Sequence, residues 1–297
     1  MRVRVLGAAA GGGFPQWNCG CPQCRAVRAG SDGGRPRTQS SIAVSPEGRR
    51  WFLLNASPDL RTQIESFPAL HPRGLRESPL EAVLLTDAEL DHTLGLLLLR
   101  EARDLQVHAT PGVHETLCTG TGILRTLGTY THVEWRPVAP GADVSLAAAM
   151  SYRAFSVPTT KRAGPDAAEV AGDVVGYRIT NGHTGGVLVY VPALETLTPP
   201  VRAELDGCSC LLVDGTCWQD DELIRLGVGG RTARAMGHLP IAGAGGSLEQ
   251  LSGLAVERKV FIHVNNTNPI LLEDSPERRA VEEHGFEVAE DGLELEL

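Results

Sequence analysis

The 297-residue sequence predicts an α/β fold in which helices cover the outer faces of two β-sheets. Short apolar segments come first in hairpin-like pairs and then alternate with helical segments, and this order is found twice along the chain. No linker rich in Gly, Ser or Pro divides the two halves. We therefore expect residues 1–297 to form a single domain.

The strands of the first half are short apolar or alternating segments bounded by turn residues. They are predicted at residues 2–6, 41–44, 51–55, 82–85 and 107–109. Helices are predicted from Ser57, over 93–103 and from Pro111, where a cap or a proline precedes apolar residues at helical spacing. The glycine-rich turn 7–13 lacks the Lys-Ser/Thr pair of a phosphate-binding loop, so it does not indicate nucleotide binding.

The second half repeats the pattern with a second series of strands separated by Gly, Pro and Asn turns. These strands are predicted at residues 133–146, 152–157, 174–180, 186–191, 211–213 and 260–264. The last two are followed by polar residues at their C-terminal ends. Because α/β proteins bind ligands at the C-terminal ends of their strands, these two ends are candidate parts of a site.

The composition excludes several classes of protein. With 27 basic and 36 acidic residues the formal charge is −9, and no basic cluster is present, which argues against nucleic-acid binding. No segment approaches the roughly 20 apolar residues of a membrane span, and the N-terminus is unlike a secretion signal, so we expect a cytoplasmic protein. Seven cysteines are too few for a disulfide framework and favour metal binding where they cluster.

Three cysteines cluster within a loop near residues 18–25. Cys19, Cys21 and Cys24 are separated by Gly and Pro, which bend the chain, and their thiolates can supply three corners of a tetrahedral zinc site with Zn–S distances of about 2.3 Å. Such a site would be structural; the alternative is three unrelated buried thiols. The spacing does not identify the fourth ligand, for which Asn266, close after His263, is a candidate. The remaining cluster, Cys208, Cys210 and Cys217, is typical of ordinary core thiols.

A second cluster follows the strand at 82–85. Asp87, Glu89, Asp91 and His92 place three carboxylates and an imidazole in six residues, which would repel one another unless they are solvated or neutralised by a cation. We interpret the segment as a site for a hard or borderline metal. The alternative is a solvated turn that caps the helix after it.

Three more polar residues stand after later strands or in a loop. His263 ends the strand at 260–264, Asp214 follows the strand at 211–213, and His238 lies in the segment Met-Gly-His-Leu-Pro. A lone histidine after a strand is usually structural. All three are nevertheless candidates to converge on one edge of the sheet.

The whole chain resembles the pyrroloquinoline quinone (PQQ) biosynthesis protein B family, whose members have the metallo-β-lactamase fold. The resemblance is carried by the segments GGGFPQWNCGCPQC, TDAELDHTLGLLLLRE, VYVPALE, LLVDGTCW, MGHLPI and FIHVNNTNPIL. It implies a metallo-β-lactamase-like αββα sandwich of two mixed β-sheets with outer helices.

The sequence departs from the hydrolases of that fold at their metal ligands. Their His-x-His-x-Asp-His signature falls on Asp87, Glu89, Asp91 and His92, so the two leading histidines are acids here. A further histidine is replaced within the residues Thr159, Thr160 and Lys161, and the bridging aspartate is replaced by Ala193. The ligands of one metal are therefore largely lost.

The ligands of the other metal remain as Asp91, His92 and His263. Two imidazoles and a carboxylate with open positions are typical of non-haem Fe(II) sites that react with O2. The resemblance implies an iron- and O2-dependent hydroxylase of the tyrosine ring in a Glu-Tyr-derived PQQ precursor, either a peptide or a small molecule.

Four further residues are candidates for catalysis. Glu89 and Asp87 would handle protons or be additional ligands, and Asp214 and His238 are weaker candidates that have structural alternatives. Other PQQ pathway proteins and a second copy of the chain are possible partners. Two other functions stay open: a zinc-dependent hydrolase of an ester or phosphodiester, and a carrier of PQQ or its precursor toward the periplasm.

Overall fold

The computed structural model describes residues 1–30, 33–160 and 173–297. In this part of the chain, fourteen strands form two seven-stranded sheets. The strands of the first sheet are β1 (Arg2–Gly7), β2 (Ser41–Ser45), β3 (Trp51–Leu54), β4 (Leu80–Leu84), β5 (Asp104–Ala109), β6 (His132–Pro137) and β14 (Glu294–Glu296). Those of the second are β7 (Asp143–Ala147), β8 (Met150–Ser156), β9 (Val175–Asn181), β10 (Val187–Val191), β11 (Cys210–Asp214), β12 (Arg258–Ile262) and β13 (Phe286–Val288).

Short helices connect the strands. They are α1 (Pro22–Arg28), α2 (Leu60–Glu65), α3 (Leu90–Thr93), α4 (Pro111–Glu115), α5 (Ile123–Leu127), α6 (Pro199–Leu205), α7 (Glu222–Arg225), α8 (Ser247–Ser252) and α9 (Pro276–Glu283). The longest of them, α9, has eight residues, and within the described ranges no helix is long and apolar enough to cross a membrane.

Each sheet combines an antiparallel and a parallel half. The first sheet has the order β14-β1-β2-β3-β4-β5-β6, antiparallel as far as β3 and parallel from β3 to β6. The second has the order β13-β12-β11-β10-β9-β8-β7, parallel from β13 to β10 and antiparallel from β10 to β7. The predicted order of hairpins followed by strand-helix alternation, found twice, is confirmed.

The alternation of side chains along the strands produces four layers. In β4, Ala82 and Leu84 face the core between the sheets, where they meet second-sheet residues such as Tyr190. Val83, between them, and Leu85, just after the strand, belong instead to the core that packs under the outer helices. Strands buried on both faces read as continuous apolar runs, as the sequence does here. The predicted αββα sandwich is confirmed.

Three predicted elements have different bounds. The single strand expected at 133–146 is two strands in different sheets, β6 and β7, because Pro140 lacks an N–H and Gly141 adopts a left-handed φ of 86° between them. The helix expected from Ser57 begins at Leu60, since the Ser57 hydroxyl accepts a hydrogen bond from the Asp59 N–H at 3.2 Å within the preceding turn.

The helix expected over 93–103 is the third difference. It begins earlier, as α3, and continues as a 3-10 helix over Leu94–Leu99. Gly95 donates its N–H to the carbonyl oxygen of Ala56 at 2.9 Å, and a Cβ at Gly95 would lie 2.1 Å from the carbonyl oxygen of Ser57. This close approach fixes the segment against a neighbouring loop, so tertiary contact overrides the helical pattern.

Candidate functional site

The predicted site residues meet in a cleft of about 310 Å³ at the C-terminal ends of parallel strands from both sheets. The loop after β4 contributes the acidic cluster, the loop after β11 leads to His238, and His263 directly follows β12. The cleft is lined by six of the predicted residues, namely Asp87, Glu89, Asp91, His92, His238 and His263. Asp214 lies behind the cleft, in contact with His238.

Asp91, His92 and His263 form a group whose ligand atoms all lie within 4.8 Å of one another. Asp91 Oδ2 is 3.1 Å from His263 Nε2 and 4.0 Å from His92 Nε2. His92 Nε2 is buried and has no hydrogen-bond partner among the residues that the structure describes. A buried ring nitrogen without a partner is costly unless something binds it, so this atom fits a metal ligand.

Asp87 orients His92 from the opposite side of the ring. Both carboxylate oxygens of Asp87 lie 2.8 Å from His92 Nδ1, and Asp87 is itself held by the hydroxyl of Thr86, which donates to it at 2.8 Å. Burial alone would lower the pKa of His92, but the charges of Asp87 and Asp91 outweigh it and raise this pKa to about 9. Asp87 is therefore placed to set the tautomer of His92.

His263 reaches the cleft through an unusual backbone conformation. Its φ is 58°, in the left-handed region, which costs a non-glycine residue on the order of 1–3 kcal/mol. Its Nδ1 lies 2.9 Å from the Thr216 hydroxyl, which leaves Nε2 toward Asp91. Burial lowers the pKa of His263, and this favours the neutral form that binds metals.

Asp214, His238 and His263 make up a second group with ligand atoms within 4.8 Å. Asp214 Oδ2 lies 2.7 Å from His238 Nδ1 and also accepts the Leu194 N–H at 2.8 Å, while Oδ1 accepts the Thr216 hydroxyl at 2.7 Å. All of these contacts involve Nδ1 or the carboxylate that binds it. The group therefore forms a hydrogen-bond network that orients the ring of His238 through Nδ1. The other ring nitrogen of His238, Nε2, is left available to bind a proton or a ligand.

The positions where the related hydrolases carry other ligands hold no such ligand here. Thr159 and Ala193 line the cleft in place of a histidine and the bridging aspartate, and Lys161 lies outside the described residues. Glu89 is exposed at the cleft and belongs to neither of the two groups above. Within residues 1–30, 33–160 and 173–297, the groups of side chains around the cleft that could hold a metal are the two described above, which share His263.

The three clustered cysteines also come together, but the segment predicted as a loop near 18–25 is helical from Pro22 onward, with Cys21 at the N-cap of α1. Cys19, Cys21 and Cys24 have sulfur atoms within 4.8 Å of one another, and the amide Nδ2 of Asn266 lies 3.4 Å from Cys24 Sγ and 3.6 Å from Cys21 Sγ. Burial raises the pKa of Cys21 to about 12 in the absence of a cation. Cys208, Cys210 and Cys217 are buried thiols outside any such group in the described chain, as predicted.

Two residues of the cleft were missed by sequence reasoning. Thr216 connects His238, His263 and Asp214 through one hydroxyl, at 3.1, 2.9 and 2.7 Å. Thr216 lies two residues after Asp214, which ends a buried strand, and this position could have indicated that Thr216 belongs to the site. Arg231 lines the cleft from a glycine-rich turn that no chemical pattern in the sequence distinguishes.

Comparisons with known proteins identify the family and the fold of the chain. A family model described as a beta-lactamase superfamily domain matches residues 50–264. The coenzyme PQQ synthesis protein B of Methylococcus capsulatus is 48% identical over 100% of both chains. The crystal structure of Zn(2+)-bound PqqB from Methylobacterium extorquens has a TM-score of 0.92 at 43% identity, over 100% of both chains.

A more distant structure shows the fold alone. A diphosphatase from the PhnP family has a TM-score of 0.71 at 19% identity, covering 100% of this chain and 97% of that one. The αββα sandwich is therefore the metallo-β-lactamase fold.

Proposed function

Because the chain belongs to the coenzyme PQQ synthesis protein B family of the beta-lactamase superfamily, we propose that it acts in PQQ synthesis as a hydroxylase. The reaction would depend on Fe(II), O2 and a two-electron reductant, and would hydroxylate the tyrosine ring of a Glu-Tyr-derived precursor, with one oxygen atom of O2 entering the ring and the other leaving as water. The observation that carries the proposal is the open group of two imidazoles and one carboxylate that Asp91, His92 and His263 form at the cleft.

Asp91, His92 and His263 would hold the iron. The unpartnered, buried Nε2 of His92 supports this assignment, as does the neutral state that burial favours for His263. When bound, Fe(II) would supply the activation of O2.

The neighbouring residues would orient the ligands and the substrate. Asp87 fixes the ring of His92 through Nδ1, and Thr216 does the same for His263. Val157, Val174 and Met236 line the cleft with apolar surface, which would hold an aromatic ring and exclude water.

His238 and Asp214 would handle a proton. The carboxylate of Asp214, 2.7 Å from Nδ1 of His238, would keep the ring proton on Nδ1 and leave the lone pair on Nε2. Nε2 would then accept the proton of the substrate phenol. Glu89, exposed at the same cleft, would exchange protons with solvent.

The cysteine loop would hold a structural zinc. Three thiolates and a fourth ligand give the closed tetrahedral set of structural zinc sites. The side-chain amide of Asn266 faces two of the sulfurs, and because the O and N atoms of an amide are interchangeable by rotation, its Oδ1 would be the fourth ligand.

A zinc hydrolase is the second candidate, and the zinc in the Methylobacterium extorquens relative favours it. Anaerobic reconstitution with Fe(II), followed by O2 uptake and mass analysis of a Glu-Tyr cross-linked substrate, tests the two functions. We expect oxygen to be added to the substrate by the wild type and not by His92→Ala. If the wild type adds none and behaves like His92→Ala, the hydroxylase proposal fails. Two zinc ions in the cleft with phosphodiesterase turnover would establish the hydrolase.

The third possibility, a carrier of PQQ or its precursor, gives its own result in the same experiment. A carrier would bind the precursor without consuming O2. Its binding would also be unchanged by Asp91→Ala or His263→Ala.

A further inference from the structure

The cleft contains a single Arg or Lys among its described lining residues, and this residue is Arg231. The remaining lining residues are acidic, histidine, neutral polar or apolar, and the neutral polar ones are Thr159, Thr216 and Asn265. From this arrangement we infer that Arg231 binds a carboxylate of the substrate and so determines which phenols enter the cleft. The inference rests on the proposed function, because it concerns the substrate class of the same site.

Arg231 is exposed and makes no side-chain hydrogen bond or ion pair with any residue in the described ranges. Arg225, earlier in the chain, is also exposed, but it contacts Asp221 at 3.9 Å and the side chain of Gln219, and it does not line the cleft. A guanidinium at the edge of a cleft, with its donors unused by the protein, is available to a ligand.

The segment that carries Arg231, residues 222–233, is held in place near both of its ends. Near its start, the buried carboxylate of Glu222 accepts the Thr267 hydroxyl at 2.5 Å, and Thr267 lies four residues after His263. Near its end, Ala233 is fully buried and donates its N–H to the Asp220 carbonyl at 2.8 Å. These contacts hold the Arg231 backbone at a set distance from the metal-binding residues.

The chemistry of a Glu-Tyr-derived precursor matches this distribution of groups. Such a molecule carries a phenol, an aromatic ring and at least two carboxylates. Asp87, Glu89 and Asp91 would repel a carboxylate from the acidic side of the cleft, whereas a guanidinium binds one through two parallel hydrogen bonds. Arg231 would therefore orient the substrate with its phenol toward His92 and His263.

Equilibrium binding to the Fe(II)-loaded protein without O2 tests the inference. The probes are the dipeptide L-glutamyl-L-tyrosine and L-glutaminyl-L-tyrosinamide, in which amides replace both carboxylates. We expect the wild type to bind the dipeptide about tenfold more tightly than the amide. Arg231→Gln should abolish this preference, and Arg231→Lys should keep part of it. Arg225→Gln is the matched control and should behave as the wild type.

The results separate this inference from the proposed function. The inference is overturned if the wild type shows no preference for the dipeptide over the amide. It is also overturned if this preference survives Arg231→Gln, because another group, such as the metal, then binds the carboxylate. A preference that depends on Arg231 supports it whether or not oxygen is later added to any substrate. With a substrate that is turned over, Arg231→Gln should raise KM about tenfold and leave kcat nearly unchanged.

Discussion

The two candidate metal sites each take one residue from the short loop after β12 and differ in almost every property. His263, at the end of β12, faces the cleft, and Asn266, three residues later, faces the cysteines. The cysteine site offers soft sulfur ligands, two of them on the buried residues Cys21 and Cys24. The cleft site offers nitrogen and oxygen ligands beside a cavity of about 310 Å³.

The difference between the two sets of ligand atoms indicates different roles for the two candidate metals. A closed set of thiolates has no position for a substrate, so a metal there stabilises the loop. An open set of imidazoles and a carboxylate leaves positions for O2 or substrate. The cysteine site would therefore hold the loop, and through it His263, in the left-handed conformation that the cleft site requires.

The largest effect is expected from removing a ligand of the cleft site. His263→Ala should lower the rate of O2 uptake by more than about a thousandfold, equivalent to about 4 kcal/mol, because the iron would be lost. Its zinc content should stay at the wild-type value. His132→Ala, which replaces an exposed histidine paired with Asp104, is the control and should change neither quantity. Parallel loss of both metals would show that the two sites are not independent.

The next largest effect concerns the cysteine site. Cys24→Ser should release the zinc and lower the free energy of unfolding by about 3 kcal/mol, since an ion that binds only the folded chain stabilises it. Metal analysis and urea unfolding measure the two changes. Cys118→Ser, outside the cluster, should leave both at wild-type values. Zinc retained at full stoichiometry in Cys24→Ser would exclude the cysteines as its ligands.

A smaller effect separates the two carboxylate–histidine pairs of the cleft. Asp87→Asn should weaken iron binding about 10- to 100-fold, because Asp87 orients the ligand His92. Asp214→Asn should lower kcat by a similar factor with iron binding unchanged, because Asp214 orients His238, which is outside the iron set. Asp143→Asn, in an exposed pair with Arg153, is the control. Equal loss of iron in both variants would make His238 a ligand.

The smallest effect is a pH dependence of the cleft site between about pH 6.5 and 9. Because the pKa of His92 is raised to about 9 in the metal-free protein, its protonated form stabilises the fold fully below about pH 6.5. This contribution is lost as the pH rises through about 9, so the melting temperature of the metal-free protein should fall by a few degrees over that window. Iron affinity should rise over the same window, since the proton competes with the metal. A flat profile, equal to that of Asp87→Asn, would contradict the raised pKa.

Much of the fold was predictable because each strand is marked by a local pattern in the sequence. The buried run at β4, the hairpin of β2 and β3, and the parallel strands β11 and β12 each carry apolar residues between turn residues. The change of sheet between β6 and β7 was not predicted, because a proline and a glycine within an extended segment do not say which sheet comes next.

The candidate ligands could be predicted from residue type, whereas the residues that orient them could not. Asp91, His92 and His263 have side chains whose chemistry indicates a metal, and the structure brings them together. Thr216 acts only through its contacts with two histidines, which are 22 and 47 residues away along the chain. Arg231 lies in the cleft because Glu222 and Thr267 fix its segment, and such long-range contacts leave no local pattern.

Anomalous diffraction at the iron and zinc edges, from crystals of protein reconstituted anaerobically with both metals, tests the central claim most directly. The account predicts an iron peak bounded by Asp91, His92 and His263, and a zinc peak among Cys19, Cys21 and Cys24. Zinc alone in the cleft, or a second metal bound by Asp214 and His238, would contradict the division between an open iron site and a closed zinc site.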